Sequence, residues 1–92
     1  MISVQEAYKR AVEFDAQRTA VGVSNICGYT DDWVVFEPVD PEHEGCPGYV
    51  VNRKTGEVEL NCAMNRKWIS PIIKSPEFSA VDLSTGAKIA VE

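Results

Sequence analysis

The sequence predicts an α+β domain: an N-terminal amphipathic helix packed on an antiparallel sheet of about four strands, followed by a C-terminal segment with weaker signals. Three observations carry this prediction. A capping box opens a helical stripe at Ser3-Val4-Gln5-Glu6. An aromatic and β-branched run, Trp33-Val34-Val35-Phe36-Glu37, marks a buried strand. Two strand patterns then flank a glycine-closed turn in Gly48-Tyr49-Val50-Val51-Asn52-Arg53-Lys54-Thr55-Gly56-Glu57-Val58-Glu59-Leu60. At 92 residues the chain makes one domain, 1–92.

The elements follow in order. In the capping box Ser3 accepts from the Glu6 N–H, and Glu6 reaches back to the Ser3 N–H. Val4, Tyr8, Ala11, Val12 and Ala16 then recur at helical spacing, with Gln5, Lys9, Arg10, Glu13 and Gln17 opposite. A helix over residues 4–18 results. Val21-Gly22-Val23-Ser24-Asn25-Ile26 alternates as a strand, and Gly28-Tyr29-Thr30-Asp31-Asp32 has the composition of a turn. The Trp33-led strand comes next. Pro38, Pro41, Gly45 and Pro47 then punctuate an acidic loop. In the hairpin, Gly56 takes the left-handed conformation, Val58 and Leu60 face the core, and Arg53 and Lys54 at the tip are solvated. Residues 61–68 read as a loop or a short helical turn, and Pro71 breaks regular structure. Ser75-Pro76-Glu77 has the form of a helix start, giving a short helix at 76–83, and Lys88-Ile89-Ala90-Val91 closes the chain as a strand.

Composition narrows the function classes. The formal charge is −5, with 14 acidic against 9 basic residues. That disfavours nucleic acid, whose binding depends on clustered Lys and Arg, and suits a basic protein partner. No apolar run approaches the ~20 residues of a membrane span, and the N-terminus lacks the basic and apolar regions of a secretory signal. The cytoplasm is the expected location. Three cysteines, Cys27, Cys46 and Cys62, make an odd count that argues against a disulfide framework.

Catalytic and metal chemistry find little support. His43-x2-Cys46 is the only close ligand pair, so a Cys3His zinc site with Cys27 and Cys62 is the minority reading. Cys46 precedes Pro47 rather than opening a helix, and His43 in an acidic loop is a poor base for it. No catalytic residue, cofactor or metal is expected. The residues suited to a basic partner are the acids Asp31, Asp32, Asp40, Glu42 and Glu44. Trp68, in an irregular region beside Arg66 and Lys67, is the candidate anchor, with Tyr29 as a second.

The layout of an amphipathic helix, the strand "DDWVVFEPVD", a variable loop and "PGYVVNRKTGEVEL" resembles small bacterial immunity proteins of the immunity protein 35 and YrhB-like group. The matching positions are Trp33, Tyr49, Val50, Val51, Asn52, Thr55, Gly56 and Val58, within residues 4–62. Asn52 departs from the pattern, where Asp is commoner, and the segment after Met64 has no counterpart. The resemblance implies a non-enzymatic cytoplasmic protein that binds and neutralises a cognate toxin, and the acidic charge favours a basic, nuclease-like one. It supplies no site residues. Two alternatives stay open: an interaction or regulatory module, including a homodimer formed through an exposed strand edge, and a Cys46/His43 metal protein or enzyme.

Overall fold

The computed structural model describes residues 1–18, 22–39, 48–61, 66–84 and 87–89. They form an α+β fold with the element order α1 (Val4–Arg18), β1 (Ile26–Tyr29), β2 (Trp33–Phe36), β3 (Gly48–Asn52), β4 (Val58–Asn61), α2 (Arg66–Ile73), β5 (Ser79–Asp82) and β6 (Ala87–Ile89). The strands make one sheet in the order β4-β3-β2-β1-β5-β6, and every described pairing is antiparallel.

Helix α1 spans the predicted residues. Ser3 Oγ caps it, accepting from the Glu6 N–H at 3.0 Å. The Glu6 carboxylate does not complete the box; it turns down the helix to Arg10 Nε at 3.3 Å. The buried stripe is also rotated from the predicted one. Ala7, Ala11 and Asp15 are buried, while Val12 is 40% exposed and Ala16 is exposed. Two alanines four residues apart let the helix approach closely, and Tyr8 and Phe14 flank them to meet Phe36 and Tyr49, each pair with ring centroids 5.9 Å apart.

Alternation along the strands divides the sheet residues between two cores. Cys27, Val34, Phe36, Tyr49 and Val51 face α1, with Val58, Leu60 and Val81 packed beside them. Val35 and Val50 face the other way, against Ile69, Ile72 and Ile73 of α2 and Phe78. This is why β3 reads as a continuous apolar run: it is covered on both sides. A helix therefore lies on each face, where the sequence predicted one.

Three local expectations are overturned. β1 begins at Ile26, not Val21, and Gly28 lies inside the strand. A Cβ there would collide with the Phe78 ring, so Gly28 is the seat of an aromatic rather than part of a turn. The second helix runs over Arg66–Ile73 and contains Pro71. Proline removes only the bond to the Lys67 carbonyl, on an exposed turn, while Ile69, Ile72 and Ile73 share the inner face. Ser75-Pro76-Glu77 makes a turn instead of a helix start: Ser75 Oγ accepts from the Glu77 N–H at 3.3 Å and the Ser75 carbonyl from the Phe78 N–H at 3.0 Å. Residues 79–82 then form β5. The last strand falls at Ala87–Ile89, close to the predicted position.

The β3–β4 hairpin closes through Gly56 as predicted, although Arg53 at its tip is half-buried rather than solvated. Gly56 has φ +79°, and its N–H reaches the Asn52 carbonyl at 2.7 Å. Asn52 Oδ1 accepts from the N–H groups of Lys54 (2.9 Å) and Thr55 (3.3 Å). A carboxylate oxygen could accept the same two bonds, so Asn and Asp are equivalent acceptors at position 52 of this turn.

Candidate functional site

Of the six predicted partner-binding residues, the structure gathers three at one end of the sheet. Asp31 and Asp32 sit on the β1–β2 turn and are exposed. Trp68 lies on α2, 37% exposed, with its ring tilted against Trp33 at a centroid distance of 5.2 Å. Trp33 follows Asp32 directly and is half-buried, so one aromatic pair joins the acidic turn to the helix. Asp40, Glu42 and Glu44 lie outside the described residues, as do His43, Cys46 and Cys62. Tyr29, the second candidate anchor, is half-buried beneath the Arg53 guanidinium, 5.9 Å from its ring centroid.

The turn is held from within and from outside. Thr30 Oγ1 accepts from the N–H groups of Asp32 (3.3 Å) and Trp33 (3.2 Å), and the Thr30 N–H donates to the Trp33 carbonyl at 2.9 Å. Arg53, expected to be solvated, is half-buried and ties three segments together. Its backbone N–H donates to the Asp32 carbonyl at 2.8 Å, and its guanidinium donates to the carbonyls of Thr30 (2.7 Å) and Ile2 (3.0 Å). The Ile2 N–H returns a bond to the Arg53 carbonyl at 2.8 Å. Five planar donors suit this bridging better than an ammonium would. Lys54 remains exposed, as predicted, with its ammonium 3.3 Å from Asp32 Oδ1.

Between the acidic turn and the end of α2 lies a cleft of about 230 Å³, lined by Thr30, Asp32, Trp33, Pro71, Ile72 and Glu77 among others. A larger one of about 410 Å³ separates α1 from β4, with Arg10, Glu13, Phe14, Glu57 and Glu59 on its walls. No family model, curated protein or solved structure matches this chain.

Two further residues bear on chemistry. Cys27 is 3% exposed, and burial pushes its thiol up from 9.0 to about 12. Burial of the thiol accords with the reading of Cys27 as a small apolar residue. Asp15 escaped the sequence reading altogether. It is 6% exposed, accepts a short hydrogen bond from the Tyr49 hydroxyl, and accepts the Gly22 N–H at 2.9 Å. Its signal was the four-residue spacing from Ala7 and Ala11, which sets a carboxylate on the buried stripe. The detectable sign of Arg53 was weaker, because a guanidinium at a hairpin tip is more often solvated.

Proposed function

We propose that this protein is a non-enzymatic immunity protein, which binds a cognate bacterial toxin in the cytoplasm and neutralises it by occluding its active site. The observation that carries this reading is the exposed Trp68, braced by Trp33 and set beside the Asp31–Asp32 turn. Tryptophan is over-represented among interface anchors, and a rigidly supported ring loses little freedom on binding. Thr30 and Arg53 fix the backbone of the turn, so the segment that carries Asp31 and Asp32 is ordered before any partner arrives. The net charge of −5 fits a basic toxin, nuclease-like in its surface chemistry. The layout shared with the immunity protein 35 and YrhB-like group supports the same reading.

Co-expression with a toxic product of a neighbouring gene tests it. The wild-type protein is expected to restore growth, and Trp68→Ala with Asp31→Asn and Asp32→Asn to lose that protection while the fold persists. Failure of the wild-type protein to protect would overturn the proposal.

A further inference from the structure

We propose that the cleft between the β1–β2 turn and the end of α2 receives one arginine or lysine side chain from a protein partner, with Trp33 as its wall and Asp32 and Glu77 as its anionic rim. The inference rests on reading this end of the molecule as a partner surface, and it names the chemical group that enters.

The lining is chemically two-sided. Trp33, Pro71 and Ile72 offer apolar surface, while Asp32 from the β1–β2 turn and Glu77 from the α2–β5 connection place carboxylates on two different segments around it. A long aliphatic stem ending in a cation complements both parts: the stem lies on apolar surface and the head meets the carboxylates. Tryptophan is the aromatic ring that attracts a cation most strongly.

The protein's own Lys54 shows that an ammonium is accommodated at this rim, 3.3 Å from Asp32 Oδ1. That pair is exposed, with side chains 70% and 53% accessible, so it is weak and an incoming cation can displace it. The larger cleft beside α1 differs. It carries Glu13, Glu57 and Glu59, but one of its walls is itself the cation Arg10, and its aromatic residue, Phe14, already has the Arg18 guanidinium 4.9 Å from its ring centroid. The smaller cleft differs in its apolar wall of Trp33, Pro71 and Ile72, which suits the stem of a long cationic side chain.

The test titrates the full chain with a capped Gly-Arg-Gly peptide and reads amide and indole N–H shifts by NMR, with Gly-norleucine-Gly as the uncharged control. Shifts are expected at the Trp33 indole and at Ile72 and Glu77. Asp32→Asn with Glu77→Gln should weaken binding about fivefold, and Lys54→Gln, which removes the internal competitor, should strengthen it about twofold. No binding, equal binding of the norleucine peptide, shifts confined to the Glu13/Glu57/Glu59 cleft, or indifference to Asp32→Asn with Glu77→Gln would each overturn the proposal. The readout needs no toxin, so it fails or succeeds independently of the protection assay.

Discussion

At the scale of single residues, the least replaceable polar contact is the one between the Tyr49 hydroxyl and the Asp15 carboxylate, closed off between α1 and β3. Tyr49→Phe keeps the ring and removes the donor, so a buried carboxylate loses a hydrogen bond that water cannot replace. Urea unfolding should show a loss of about 1–3 kcal/mol. Cys27 sets a pH limit instead. Its folded-state value stands above the unfolded one, about 12 against 9.0, because burial disfavours the thiolate. The native state then keeps a proton that the unfolded chain releases above pH 9. The contribution to stability is full below pH 9 and is lost as pH rises toward about 12. Wild-type stability should fall more steeply than that of Cys27→Ala between pH 8 and 10.5, measured by denaturant titration; parallel slopes would show that the thiol is not responsible.

At the scale of elements, the β3–β4 hairpin combines a strained position with a bridging side chain. Gly56→Val places a branched Cβ at φ +79°, directly against the Arg10 guanidinium. The backbone cost alone is of order 1–3 kcal/mol, visible as a lowered thermal midpoint. Arg53→Met preserves the stem but removes donors to the Ile2 and Thr30 carbonyls, with an expected loss of about 1–2 kcal/mol. Hydrogen exchange should accelerate at Thr30–Trp33 and at Ile2, while β4 amides stay protected. Legibility differs between these elements for physical reasons. Helix α1, β2, β3 and the Gly56 turn were plain in the sequence because local chemistry determines them: a cap, a buried run, a residue free to take positive φ. The second helix was hidden because tertiary packing of Ile69, Ile72 and Ile73 outweighs the proline among them. Gly28 misled for the same reason, since its small size serves Phe78, some fifty residues away in sequence. Of the candidate site, the acids and Trp68 were legible as residue types, but the Trp33 ring that joins them was not.

At the scale of the whole molecule, charge and topology act together. With a net charge of −5, association with a basic partner should slow as ionic strength rises, while dissociation changes little. Stopped-flow tryptophan fluorescence on the complex with the proposed toxin partner, at low and high salt, separates the two rates, and a salt-independent association rate would exclude electrostatic steering. The sheet is assembled outward from β1 in two directions. β2, β3 and β4 succeed one another on one side, and α2 then carries the chain back across a sheet face to place β5 and β6 on the other. Opposite faces of one sheet are thus sealed by helices that enter the fold at different times.

That crossing also sets an order for synthesis. The acidic turn and Trp33 leave the ribosome with the first four strands, yet Trp68 and Glu77 belong to the strap made after them. At roughly 5–20 residues per second, completion of the partner surface trails the turn by some seconds. A nascent chain halted after β4 would lack the Val81 and Leu83 side of its α1 core, and only half of its proposed recognition surface would have been made.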